Sequence, residues 1–287
     1  MTTVCNPMNL PYRLQNLSMG PRRWVSREGA DPSIVTFQDR YFLFPSMSGG
    51  FWHSDDLVEW AFVATPGLPN YDYAPDVREI DGQLVVCASR PRKACSFFRT
   101  PDPLAGHWEE IRGTFSFWDP NLFQDDDGRV YLYWGCSNKT PIWGVELDRS
   151  TFRRIGDQVV LIESDTTRRG WERTGVDHHP GRVENLSSRI LGKVMGTAPF
   201  VEGAWLTKHG GRYHLQYAAP GTELNTYADG SFTADSPLGP FTYSPHSPFS
   251  SKPAGNRPMR RSNMWFLEMR IVETCHQLPW RSWNVEP

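Results

Sequence analysis

No stretch of this sequence approaches the ~20 consecutive apolar residues that a membrane-spanning helix needs, and mean hydropathy is −0.52. No membrane-spanning helix and no membrane partner are therefore expected. There is no basic stripe to neutralise a run of phosphates, and the formal net charge is only −2. That excludes nucleic acid as a partner. Cysteine is sparse and odd in number, with Cys5, Cys87, Cys95, Cys136 and Cys275 and no C-x-x-C pair. Neither a disulfide framework nor a zinc site is expected from such a set. The first residues contain no apolar signal core. As written, the chain is expected to be cytoplasmic, or periplasmic or secreted if a leader has been removed. A sustained apolar period of 3.6 residues is also missing, which argues against helical repeats.

Aromatic side chains and turn residues are abundant instead. There are 12 Trp, 16 Phe and 10 Tyr, with 24 Gly and 24 Pro among 287 residues. Many turns and many rings fit an all-β protein of short strands. Rings without much net charge also suit a neutral, ring-shaped ligand such as a sugar, although most of them are expected to fill cores.

An internal repeat organises the chain. Ala30-Asp31-Pro32-Ser33-Ile34-Val35 leads through Asp39-Arg40 into Tyr41-Phe42-Leu43-Phe44. Tyr73-Ala74-Pro75-Asp76-Val77 leads through Asp81-Gly82 into Leu84-Val85-Val86. Trp118-Asp119-Pro120-Asn121-Leu122-Phe123 leads through Asp127-Gly128 into Val130-Tyr131-Leu132-Tyr133. Val201-Glu202-Gly203-Ala204-Trp205-Leu206 leads through Gly210-Gly211 into Tyr213-His214-Leu215-Gln216-Tyr217. Each unit is a strand, a tight turn that tolerates positive φ, and a second strand.

A loop carrying Asp, and in two units Pro, follows each hairpin, and then an aromatic at Trp60, Trp108, Phe152 or Phe241. These predict a third and a fourth strand. Four strands per unit is the composition of a propeller blade. Asp31, Pro75 and Asp119 follow at 44-residue intervals, and Glu202 comes 83 residues after Asp119. The longer gap predicts a polar insert over roughly 164–195, lying as a loop over one face.

In a propeller the first strand of each blade lines the central channel. Asp31, Asp119 and Glu202 hold nearly the same place in blades one, three and four, where blade two carries Ala74-Pro75. Three acids are thus expected to converge on one mouth of the channel, and mutual repulsion should raise at least one pKa. Cleaving a glycosidic bond needs such a pair, a carboxylic acid to protonate the leaving oxygen and a carboxylate to activate water or attack the sugar. Acids on separate blades favour the longer separation of about 6.5–9.5 Å that goes with inversion over the about 5–5.5 Å that goes with retention. Any single Asp-Pro is more often a turn signal. Recurrence at the channel-lining site is what singles these out. The run Asp125-Asp126-Asp127 reads as a turn, and His178 and His179 as loop residues.

At these residues the sequence resembles glycoside hydrolase family 43, the five-bladed β-propeller family of arabinofuranosidases, xylosidases and arabinanases. The resemblance rests on Ala-Asp-Pro-Ser-Ile at 30–34, Trp-Asp-Pro-Asn-Leu-Phe at 118–123 and Val-Glu-Gly-Ala-Trp at 201–205, in the order Asp, Asp, Glu. It covers roughly residues 6–255. It implies an inverting glycosidase in which Asp31 is the general base, Asp119 holds and tunes the acid, and Glu202 is the general acid. The substrate it implies is a carbohydrate, with arabinofuranosides first, xylosides second and galactan third. Trp52, Tyr73, Phe117, Trp118 and Tyr217 lie near the acids in sequence and are the expected sugar-stacking groups, with core packing as the competing role for each. No cofactor is expected. The family's channel often holds a structural calcium beside a His, but the sequence has no His at the matching place, since His276 falls at the wrong spacing.

The fifth blade is where the sequence departs from that plan. A unit should begin near Ala254-Gly255. Instead the chain reads Asn256-Arg257-Pro258-Met259-Arg260-Arg261 and onward to Pro287, with no turn and no alternating strand pair. The expected organisation is therefore a propeller domain over 1–255 with four recognisable blades, and an atypical segment over 256–287. That segment is either a divergent closing blade or an out-of-frame reading of an ordinary one. A non-catalytic sugar-binding propeller, inactive through an incomplete ring, is the alternative function.

Overall fold

The computed structural model describes residues 10, 15–19, 22–26, 31–66, 68, 73–90, 93–179, 198–222, 224–251 and 270–271. Their architecture is an all-β propeller arrangement of four-stranded sheets. Blade I is β3 (Ser33–Phe37), β4 (Arg40–Phe44), β5 (Gly50–Ser54) and β6 (Ala61–Ala64). Blade II is β7 (Tyr73–Ile80), β8 (Gln83–Ser89), β9 (Phe97–Thr100) and β10 (Glu109–Ile111). Blade III is β11 (Asn121–Gln124), β12 (Val130–Trp134), β13 (Ile142–Leu147) and β14 (Arg154–Ile162). Blade IV is β15 (Glu202–His209), β16 (Arg212–Ala219), β17 (Ala228–Ala234) and β18 (Thr242–Tyr243).

A hairpin of β1 (Gln15–Met19) and β2 (Arg22–Ser26) precedes blade I. The short β19 (Ser250–Ser251) adds to β17, and β20 (Arg270–Ile271) pairs parallel with β3. No fifth four-stranded sheet is seen among the described residues. The remainder of the atypical segment, like Cys5 and Cys275, lies outside them.

Local chemistry explains the blade. In blades I, II and IV a two-residue turn joins the first two strands, and both turn residues have positive φ: Gln38 and Asp39, Asp81 and Gly82, Gly210 and Gly211. That geometry matches the right-handed twist of the strands it connects. Between third and fourth strands an Asp carboxylate holds the loop by accepting two backbone N–H groups. Asp56 accepts from Val58 and Glu59, Asp102 from Leu104 and Ala105, and Asp148 from Ser150 and Thr151. These three aspartates follow at 46-residue intervals. The aromatics predicted to open the fourth strands stand one or two residues ahead of them, as Trp60 does before β6.

Blades II and III are covered on both faces, so their second strands β8 and β12 are buried almost throughout, whereas β17 of blade IV alternates buried and half-buried residues. Phe42, Phe44 and Phe51 of blade I pack on Val77, Leu84, Val86 and Phe98 of blade II. Val85, Cys87 and Phe97 meet Leu122, Leu132, Trp134 and Phe152 of blade III. Tyr131, Tyr133 and Ile142 meet Leu206, Leu215, Tyr217 and Phe232 of blade IV. The other face of blade I buries Ile34, Leu43, Trp52 and Trp60 with Leu10.

Three of the expected sugar-stacking rings belong to these cores. Trp52 is wholly buried and edge-packed on Phe62 at 4.7 Å. Phe117 lies between blades II and III against Phe97 and Phe115. Tyr217 lies between blades III and IV. Closeness to an acid along the chain placed them on blade faces rather than in the channel.

Candidate active site

The site begins with backbone strain. Asp31, Ala74 and Asp119 each precede a proline and each has positive φ, at 47°, 49° and 57°. Such conformations cost about 1–3 kcal/mol for residues with a Cβ and persist only where neighbours impose them. The neighbours are visible. Ser46, just after β4, accepts the N–H of Ala74 through its Oγ at 2.9 Å. Ser89, at the end of β8, accepts the N–H of Asp119 at 2.7 Å. In blades I and II a serine at or just beyond the end of the second strand thus holds the leading residue of the next blade.

Two residues further on, the inner strands are stitched together. Asp76 on β7 is fully buried. Its carboxylate accepts from the Ser33 hydroxyl of blade I at 2.8 Å, and from the Asn121 amide at 3.2 Å and the Leu122 N–H of blade III. Asn121 in turn accepts the Leu206 N–H of blade IV at 2.8 Å. Below this layer the Arg78 guanidinium of blade II lies 4.2 Å over the Trp205 ring of blade IV. A continuous polar girdle therefore joins four inner strands directly beneath the acid-bearing positions.

Glu202 stands at the start of β15. Asp119 reaches it through the backbone, because its carboxylate accepts the N–H of Gly203. Ser137 and Val201 exchange two backbone hydrogen bonds, at 3.2 and 3.1 Å, which seats the entry to β15 against blade III. The thiol of Cys136 donates to Glu202 Oε2 at 3.1 Å. Glu202 Oε1 is buried and makes no hydrogen bond among the described residues. Burial pushes the Glu202 carboxyl up to about 7, and the charges of Asp119 and Asp31 add to the rise. Cys136 and the hydroxyl of Tyr227 oppose it by favouring the ionised form. The fields of Asp31, Asp119 and Glu202 all fall on Cys136 as well, so acids from blades I, III and IV share one space. A carboxyl that keeps its proton to near neutrality beside two further carboxyls can supply both a donor and an acceptor for bond cleavage.

Trp118, next to Asp119, keeps partial exposure, unlike Trp52, Phe117 and Tyr217. Tyr73 opens β7, and its side chain lies outside the described residues. Among the described residues no group of three or more His, Cys, Asp or Glu is arranged to hold a metal ion. His178 and His179 are in a loop, with His178 Nδ1 3.4 Å from the Arg173 carbonyl.

The first part of the insert leaves β14 and packs on blade IV. Glu172 is fully buried, bonded to Arg169, to the Asp165 N–H and to the Tyr217 hydroxyl. Trp171 lies over Gly230, where a Cβ would come within 2.5 Å of the indole. Asp177 and Asn225 exchange two hydrogen bonds, at 2.7 and 3.1 Å, which ties the insert to the loop carrying Tyr227. Residues 180–195 of the insert lie outside the described residues.

Cys136, Tyr227 and Asp76 were not singled out by sequence reasoning. Asp76 left a signal, an acid inside the otherwise apolar strand Pro75-Asp76-Val77 at the same offset as Ser33 and Asn121. Cys136 and Tyr227 left none, since their contacts to Glu202 depend on how blades and loops meet.

Comparison with known proteins gives a consistent picture. The sequence profile of glycosyl hydrolases family 43 matches residues 24–264. A β-xylosidase of Xylanibacter ruminicola is 29% identical over 161 residues, covering 49% of this chain and 44% of the relative. A xylosidase/arabinosidase of Bacteroides ovatus is 28% identical over 152 residues, covering 46% and 41%. A β-D-galactofuranosidase of Aspergillus niger is 29% identical over 256 residues, covering 75% and 64%. The chain thus spans less than half the length of the first two relatives. A solved thermostable family-43 glycoside hydrolase superposes with a TM-score of 0.61 at 21% identity, over 87% of this chain and 77% of that one, and shares the fold. With the family profile matching most of its length, this chain belongs to glycosyl hydrolase family 43.

Proposed function

We propose that the protein hydrolyses the bond to a terminal pentose, xylose or arabinofuranose, in plant-type oligosaccharides or polysaccharides, with inversion at the anomeric carbon. One observation carries the reading: the Asp119 carboxylate grips the peptide after Glu202, whose carboxyl is pushed up to about 7 by burial and by the charges of Asp119 and Asp31.

In this mechanism Glu202 gives its proton to the glycosidic oxygen as the bond from that oxygen to the anomeric carbon breaks. Oε1, free of hydrogen bonds, is the atom that carries the proton. A water molecule attacks the opposite face of the sugar, and Asp31 takes its proton. Each turnover leaves Glu202 ionised and Asp31 protonated, and exchange with solvent restores both. Asp119 does no proton transfer. It holds the peptide after Glu202 and keeps that carboxyl reluctant to ionise. Trp118 is the partly exposed ring nearest the acids in sequence and is assigned to sugar stacking.

The names of relatives favour β-xylosides and arabinofuranosides together, and the Aspergillus relative adds furanosides of galactose as a further arm. Nitrophenyl β-xyloside, α-arabinofuranoside and β-galactofuranoside, assayed with the wild type and Glu202→Ala, test the proposal. Turnover of a pentoside that collapses in the variant supports it. Turnover surviving intact in the variant refutes the acid assignment, and proton NMR showing a first-formed sugar of retained configuration refutes inversion.

A further inference from the structure

Among the described residues, Glu202 is faced by groups from three blades. Asp31 comes from blade I and Asp119 from blade III, while Cys136 follows β12 of blade III and Tyr227 precedes β17 of blade IV. The two carboxyls disfavour its charge, and the thiol and the phenol favour it. The placement of Cys136 is built in. The Ser137–Val201 bridge joins the residue after Cys136 to the residue before Glu202, so two backbones fix the 3.1 Å approach of Sγ to Oε2.

The thiol itself stays neutral. Burial, followed by the fields of Glu202, Asp119 and Asp31, pushes Cys136 far above the ordinary thiol range. It is therefore an S–H donor at every pH where the protein would work, and it adds no charge to a crowded acidic space. The hydroxyl of Tyr227, on a loop tied to the insert through Asn225 and Asp177, also favours the ionised form of Glu202.

We infer that Cys136 is a positioning residue for Glu202, holding Oε2 so that the transferable proton resides on Oε1. The inference rests on the proposed role of Glu202 as general acid. It predicts that removing the Cys136 thiol makes Glu202 harder to ionise, because the charged form loses a stabilising hydrogen bond. A buried thiol is a weak donor, so the shift expected is modest, roughly half a pH unit to one unit.

Two readouts on the whole chain test this. The first is the alkaline limb of kcat/KM for nitrophenyl β-xyloside or α-arabinofuranoside. The second is the titration of the Glu202 carboxyl carbon by carbon-13 NMR, assigned by its loss in Glu202→Gln, which needs no activity. Cys136→Ala should move both readouts to higher pH, while Cys136→Ser, which keeps a donor, should not raise them. Cys136→Val replaces the alanine variant if that does not fold. An unmoved titration in the folded Cys136 variant, or a change confined to melting temperature, overturns the inference. Were the carboxyl titration to move in a protein that hydrolyses no glycoside, the positioning contact would stand and the functional reading would fall. Hydrolysis with an unmoved alkaline limb would do the opposite.

Discussion

The carboxylate of Asp119 accepts the backbone N–H of Gly203, so an acid from blade III grips the peptide immediately after Glu202 on blade IV. The same carboxylate presses on Glu202 electrostatically and raises its pKa. One side chain thus bears on both where the Glu202 carboxyl sits and how tightly it keeps its proton.

Substituting Asp119→Asn separates these two effects. The amide oxygen can still accept from Gly203, but the charge is gone. Glu202 should then ionise more readily, and the alkaline limb of kcat/KM should move to lower pH. The rate at the optimum should fall by about 10²-fold or more, the scale of general acid catalysis. A pH–rate profile of the variant measures both.

Ionisation of Glu202 should also register in stability. Its carboxyl is raised in the folded protein from the ordinary 4.5 to about 7, so the folded state binds the proton more tightly than the unfolded chain. The resulting stabilisation is full below pH ~4.5 and is lost as pH rises through about 7. It amounts to about 3 kcal/mol at most. Urea midpoints at pH 5 and pH 8 should diverge less in Glu202→Gln than in the wild type, because glutamine has no proton to lose.

Asp76 is predicted to hold the ring together without touching substrate. Asp76→Ala strips the acceptor from Ser33, Asn121 and the Leu122 N–H at once. Breaking a buried charged network of this kind costs about 3 kcal/mol or more. A large drop in thermal midpoint is expected, and Asp76→Asn, which keeps one acceptor oxygen, should lose less.

The insert supplies a fourth test. Asp177→Ala removes the acceptor of the Asn225 amide and leaves only the backbone N–H bond of residue 177 to hold the loop that carries Tyr227. This exposed pair contributes little to global stability, ~1 kcal/mol or less. The thermal midpoint should hardly change, while kcat/KM falls several-fold.

Much of this was legible in the sequence because it is local. Two-residue turns, paired apolar strands and recurring Asp loops specify a blade within some 45 residues. The shared place of Asp31, Asp119 and Glu202 could be read because each opens a first strand. The rings could not be read that way. Trp52, Phe117 and Tyr217 sit near acids in sequence, yet Phe117 and Tyr217 point between blades and Trp52 into the core on the outer face of blade I, and only the packing of the folded sheets decides which face a ring takes. Cys136 and Tyr227 were illegible for a related reason. Cys136 approaches Glu202 from 66 residues away, through a bridge between blades. Tyr227 depends on an insert whose own anchor, Glu172, is buried against Tyr217. Polar groups of this kind announce nothing until the chain is folded.

The central claim is that Glu202 delivers the proton to the departing oxygen. Its most direct test is kcat/KM of the wild type and Glu202→Gln on two aryl pentosides, one with a poor leaving group and one with a good one. A good leaving group needs no proton, so the variant should lose about 10³-fold on the poor substrate and far less on the good one. Equal losses on both substrates would contradict the account.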